Sequence, residues 1–286
     1  MGFLQHILLG LLQGVTEFLP VSSSAHLVAA KTLLGVHASP LFLEVCLHFG
    51  TLVSILLVFR SEIWRLLADA VKGAVLLVRG MPQQELARQA PSFGMAAAIV
   101  AGTIPAAVVG LCCRDAIGAV FEGHLQLCGV LMMVTGLILL ASRYAPQSSV
   151  SAVGPLRGLV IGMAQAVALL PGISRSGSTI VAGYFAGLER PLAARFSFLL
   201  GVPAMAGAMV LVAGHYVLAE GGVSAHGAAG PGGSVAGLIG GTVASAVAGA
   251  VCLVLLLRVI QRGKLHWFAA YCVPVGALLA ALGTGA

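Results

Sequence analysis

Leu11–Leu27 reads LLQGVTEFLPVSSSAHL, and Leu169–Ile180 reads LLPGISRSGSTI. Each lies in a long apolar stretch, about 3–36 and about 158–190, and each stretch is broken in its middle by Pro, Gly and a Ser cluster. A helix needs about 20 apolar residues to cross a bilayer. A helix broken halfway is tolerated at membrane depth only where protein or a watery cavity covers the freed backbone. Both stretches are therefore expected to be re-entrant helical hairpins that dip into the membrane and return.

Outward from these stretches, unbroken apolar runs lie at about 42–59, 93–113, 125–142, 195–219, 235–257 and 266–284. Of the 286 residues 59% are hydrophobic and 8% charged, and the mean hydropathy is +1.05. Soluble domains carry roughly 25% charged residues, so water is excluded as the solvent for this chain. The expected fold is an all-α polytopic membrane protein in a single membrane domain, 1–286, with six transmembrane helices and two re-entrant helical hairpins. The 38 glycines suit close helix approach, because packing rather than hydrophobicity holds helices together in lipid. The six cysteines lack metal-ligand spacing and read as small core residues. No cleavable signal peptide is expected: a basic n-region is missing, and the run Ile7–Leu19 contains Glu17.

The net charge of +6 is read as topology, not as nucleic-acid binding. Arg60, Arg65, Lys72, Arg79 and Arg88 mark one cytoplasmic segment, Arg143 and Arg157 a second, and Arg258, Arg262 and Lys264 a third. Segment 220–234 has no Lys or Arg and 114–124 is nearly balanced, which places both outside. Trp64, Leu66, Leu67 and Val71 point to a surface-lying helix within the first basic segment.

The chain also repeats. A shift of 152 residues sets Gly10 on Gly162, Gln13 on Gln165, Val15 on Val167, Ser22 on Ser174 and Ser24 on Ser176. A weaker match sets Gly102-Thr103 on Gly241-Thr242 and Gly110 on Gly249. Combined with the loop charges, the halves (about 1–142 and about 155–286) become an inverted-topology repeat. Such folds place their site where the broken helices meet, near mid-membrane.

Several polar residues stand in these breaks. Gln13 and Glu17 share a helix face at spacing four. An ionised group at mid-bilayer costs at least about 2.5–3.5 kcal/mol, which makes Glu17 a functional candidate. Ser22, Ser23, Ser24 and His26 follow Pro20: hydroxyls to donate to or attack phosphate, and an imidazole to move a proton. In the second break Arg175 lies between Ser174 and Ser176, with Gly172 before and Ser178 and Thr179 after. A forked guanidinium among hydroxyls, glycines and a helix start describes an anion site. A single Ser there could equally cap a helix, and a lone His could be a core residue. Glu44 and His48, before Gly50-Thr51, are read as structural.

At these two stretches the sequence resembles the undecaprenyl-diphosphate phosphatase family of the bacitracin-resistance type. The residues that carry the likeness are Gln13, Glu17 and Pro20 through His26, then Pro171, Gly172, Ser174, Arg175, Ser176 and Thr179. Ile104-Pro105 and Phe196-Ser197-Phe198 before Pro203 extend it over nearly the whole chain. The resemblance implies hydrolysis of undecaprenyl diphosphate to the monophosphate at the periplasmic face of a bacterial cytoplasmic membrane. That reaction recycles the carrier for peptidoglycan and confers bacitracin resistance. It also implies a divalent cation, Mg2+ or Ca2+, and Glu17 either binds that cation or acts as general base. Gln13 stands where many members have Glu, which makes Glu17 the principal acidic group.

On this reading Glu17, His26, Ser23 and Arg175 are catalytic, and Ser23 or water is the nucleophile. Ser22, Ser24, Ser174, Arg175, Ser176, Thr179 and Gly172 hold phosphate, and Gln13 supports them. The expected partners are the polyprenyl diphosphate lipid and the bilayer, without nucleic acid and with a homodimer left open. The rival reading is a polyprenyl-phosphate flippase, since inverted repeats with broken helices also serve alternating access.

Overall fold

The computed structural model describes residues 2–33, 41–113, 125–146, 150–219 and 235–283. The two segments expected outside, 114–124 and 220–234, lie beyond the described residues. Twelve α-helices are described: α1 Phe3–Phe18, α2 Ser23–Leu33, α3 Leu41–Val58, α4 Arg60–Val78, α5 Gln83–Gln89, α6 Phe93–Cys112, α7 Leu125–Ala141, α8 Pro155–Val167, α9 Arg175–Phe185, α10 Arg190–Ala219, α11 Val235–Gln261 and α12 Ala269–Leu282.

Among the described residues five helices are long and apolar enough to cross a membrane: Phe93–Cys112, Leu125–Tyr144, Arg190–Val212, Val235–Gln261 and Leu265–Leu282. A sixth appears if Phe42–Val58 and Arg60–Val78, bent by 79° to each other, count as one broken span. The protein is thus an all-helical, polytopic membrane protein. The bend falls where the apolar run gives way to Arg60, Glu62 and Arg65. Beyond it, α4 exposes Trp64, Leu67, Val71, Val75 and Val78 along one face and buries Leu66 and Leu76 on another. The helix expected from the basic segment is therefore present.

Helices α1 and α8 hold 16 and 13 residues, so at 1.5 Å rise they are about 24 and about 20 Å long, too short for a full crossing. Both pack closely through glycine. A Cβ on Gly10 of α1 would overlap the Gly241 carbonyl of α11, and one on Gly162 of α8 would overlap the Gly102 carbonyl of α6. The 152-residue shift carries Gly10 to Gly162, and the weaker match pairs Gly241 with Gly102, so the sequence matches relate the residues of one contact to those of the other. Gly129 of α7 meets Gly276 and Ala280 of α12 in the same manner, and Gly50 of α3 meets Thr242 of α11. Apolar side chains from both halves fill the space between, with Phe18, Phe196 and Phe198 fully buried. Lipid-facing positions such as Val100, Leu137 and Val247 stay exposed. All six cysteines are free thiols; Cys128 and Cys272 are core residues as expected, whereas Cys112 and Cys113 are exposed at the end of α6.

Candidate active site

Helix α1 stops at Phe18 because Pro20 cannot continue it. The chain turns through Ser22, which holds a left-handed backbone (φ 65°) unusual for a residue with a side chain. The second break turns at Gly172 (φ 102°), and a Cβ there would lie 2.5 Å from the Cys128 carbonyl oxygen. Each break then starts a helix with a Ser cap. Ser22 Oγ accepts from the Ala25 amide at 3.5 Å, and Ser174 Oγ from the Gly177 amide at 3.2 Å. Each cap also pairs with the hydroxyl two residues on: Ser22 with Ser24 at 3.1 Å, Ser174 with Ser176 at 3.2 Å.

The two breaks touch. Gly172 N–H donates to Ser24 Oγ at 3.1 Å, and Ser176 Oγ donates to the Leu19 carbonyl at 3.5 Å. From α7, Thr135 locks the second break, donating to the Gly172 carbonyl at 2.9 Å and accepting from the Ser174 amide at 3.0 Å.

Glu17 sits at the centre of this junction, 9% exposed. Arg175, the first residue of α9, donates from Nη2 to Glu17 Oε1 at 2.7 Å. Ser23 Oγ donates to Oε2 at 2.7 Å and Gln13 Nε2 to the same oxygen at 3.0 Å. His48 of α3 brings Nε2 to 3.8 Å from Oε2. The guanidinium lies over Gly201 of α10, where a Cβ would overlap it, and Nη2 lies 3.6 Å from Met205 Sδ. Low dielectric around a paired carboxylate and guanidinium strengthens their attraction, and the three hydrogen bonds that Glu17 accepts offset the cost of its burial.

The two breaks, alike in their Ser caps, carry different chemistry. Under the 152-residue shift Leu169 stands where Glu17 does, and Ser23 where Arg175 does. Gln165, the counterpart of Gln13, is buried with neither amide atom hydrogen-bonded.

Not every expected residue faces the carboxylate. Thr179 is fully buried; its Oγ1 donates to the Arg175 carbonyl at 2.8 Å and pairs with Ser197 Oγ at 2.5 Å. Ser174 is engaged as a cap. His26 turns away from Ser23: Nδ1 bonds the Ser22 carbonyl at 2.8 Å and Nε2 the Tyr271 hydroxyl at 2.8 Å. Instead His48, read from sequence as structural, is the imidazole beside Glu17. Its signal was an ionisable group in an apolar span four residues after Glu44. Glu44 pairs with Lys31, tying α2 to α3 near the junction. Ser197 stood in the family-like Phe196-Ser197-Phe198 stretch without an assigned role, and Tyr271 gave no local signal; only tertiary packing brings them in.

Residues 6–278 match the family described as bacitracin resistance protein BacA. The chain belongs to that family. It is 38% identical over 281 residues to the undecaprenyl-diphosphatase of Desulfosudis oleivorans, covering 96% of both chains. It is 42% identical over 285 residues to the undecaprenyl-diphosphatase of Geobacter sulfurreducens, covering 99% of both. The protein of the same name from Korarchaeum cryptofilum is 34% identical over 285 residues. The BacA match spans both breaks, so the Glu17–Arg175 junction belongs to the family fold and not to an appended segment.

Proposed function

We propose that this BacA-family protein hydrolyses undecaprenyl diphosphate to undecaprenyl phosphate and inorganic phosphate. The observation that carries the reading is a buried carboxylate held between a serine hydroxyl and a guanidinium from the opposite half of the chain, in a protein whose relatives bear that enzyme's name. The reaction takes place at the periplasmic face of the cytoplasmic membrane. It returns the lipid carrier for peptidoglycan synthesis and confers bacitracin resistance. The α1–α2 and α8–α9 pairs act as re-entrant hairpins in an inverted repeat. Their short helices, matched glycine contacts and matched Ser caps support this.

The polyprenyl tail stays in lipid while the diphosphate enters the junction. A phosphoryl group competes with Glu17 for the Arg175 fork, and the guanidinium offsets the charge that spreads over phosphoryl oxygens during transfer. Glu17, freed at one oxygen, keeps Ser23 on the other and takes its proton. Ser23 then attacks the terminal phosphorus, the bridging P–O bond breaks with undecaprenyl phosphate as the leaving group, and water hydrolyses the phosphoserine to inorganic phosphate; a water in place of Ser23 reaches both products in one displacement. His48 Nε2, 3.8 Å from Oε2, is placed to relay a proton from the carboxylate. Ser24 and Ser176 Oγ are the hydroxyls closest to the tip contact and suit phosphate oxygens, while Ser174 and Thr179 hold the α9 start in shape.

A Mg2+ or Ca2+ ion fits as a companion of the substrate. Among the described residues no group of three or more His, Cys, Asp and Glu could hold one, but Glu17 and the unpartnered buried Gln13 Oε1 offer hard oxygens that the diphosphate would complete. Bound there, it would screen phosphate charge.

The test is phosphate release by purified protein in detergent. The wild type should release phosphate from polyprenyl diphosphate, and Glu17→Gln should lose at least about a hundredfold in kcat. Wild-type protein that releases none would overturn the reading in favour of a flippase, for which detergent leaves no compartments to connect.

A further inference from the structure

We infer that Tyr271 is a positioning residue for His26, holding the imidazole's lone pair and ring plane at the rim of the junction. The inference rests on the phosphatase reading and extends it to the last helix. A backbone carbonyl can only accept, so the bond between Nδ1 and the Ser22 carbonyl at 2.8 Å requires a proton on Nδ1. In the neutral ring Nε2 is then a bare acceptor, and the Tyr271 hydroxyl, 2.8 Å away, is its donor. The ring planes are parallel to within 7°, with centroids 5.8 Å apart.

The neighbouring residue reinforces the grip. Cys272 Sγ donates to the Pro20 carbonyl at 3.4 Å, so two consecutive residues of α12 hold the first break at its start and end. Tyr271 is 44% exposed and His26 half-buried, so the pair lies at the edge of the packed helices. An incoming phosphate can reach Nε2 only by displacing the phenol or sharing it. Tyr271 thus keeps the lone pair satisfied and aimed until substrate arrives.

The experiment compares wild type, Tyr271→Phe, His26→Ala and the double variant with polyprenyl diphosphate in detergent. Tyr271→Phe keeps the ring and removes the donor. It should lower kcat about tenfold with KM changed less than about twofold, and it should add nothing in the His26→Ala background. Nitrogen-15 NMR of histidine-labelled protein, with His26 assigned by difference, should show the bare ring nitrogen shifting in Tyr271→Phe. That readout needs no turnover, so it separates failure of this inference from failure of the phosphatase reading. An unchanged His26 ring spectrum overturns the inference, as does an equal loss of kcat with and without His26. A loss confined to thermal stability, with kcat intact, reduces Tyr271 to a packing residue and also overturns it.

Discussion

Glu17 is an acid in an apolar helix, but its neighbours give it a task. One oxygen faces a fixed fork and the other a hydroxyl, at 2.7 Å each. A compact ammonium cannot reproduce the fork. Arg175→Lys should therefore lose at least about a hundredfold in kcat, and Arg175→Ala should abolish phosphate release, while both elute as the wild type does on size exclusion. Near-normal turnover of Arg175→Ala would remove the guanidinium from the mechanism. Ser23→Ala separates the nucleophiles: loss to background assigns attack to Ser23, and retention of more than about a tenth of wild-type kcat assigns it to water. The polar residues in the two breaks stood out in sequence because lipid makes each of them expensive. That Glu17 and Arg175 face each other was legible from the two breaks; the partners of the histidines were not. His26 faces Tyr271, and His48 takes the place beside Glu17.

Among the elements, the short helices depend on bare backbone contact. Overpacking a filled core costs about 1–3 kcal/mol and more where backbone must move. Gly10→Val should thus lower the melting temperature in detergent, and Gly162→Val should do the same, because the two contacts are equivalent. Gly154→Ala is the control, since nothing lies within 4 Å of a Cβ there. Helix α4 makes a separate prediction. Its exposed row from Trp64 to Val78, flanked by Arg60, Arg65, Lys72 and Arg79, suits the membrane interface. In a Trp267→Phe background, lipids brominated near the headgroup should quench Trp64 more strongly than lipids brominated at the chain end. The apolar runs foretold the helices well because period and length are local properties. The end of the run at 59 and the surface-lying helix expected after it marked the break between α3 and α4; its angle, 79°, came only from the structure, because an apolar run records length and not angle.

For the whole molecule, Glu17 and Arg175 lie in opposite halves, so neither half holds a complete site. Fragments 1–146 and 150–286 should release phosphate only when co-expressed and co-purified, and release by either alone would dissolve the junction as the site. The sequence by itself determined the solvent, the helical class, the family and the duplicated Ser-capped breaks. These follow from composition and spacing, which need no fold to be read. The sequence also set Glu17 and Arg175 to face each other where the breaks meet; only the tertiary structure decided the direct contacts, the single Nη2–Oε1 bond between those two, His26 with Tyr271, and Thr179 with Ser197. The physical reason is that a hydrogen bond acts over about 3 Å, and residues 158 or 245 positions apart come that close only after the helices have packed.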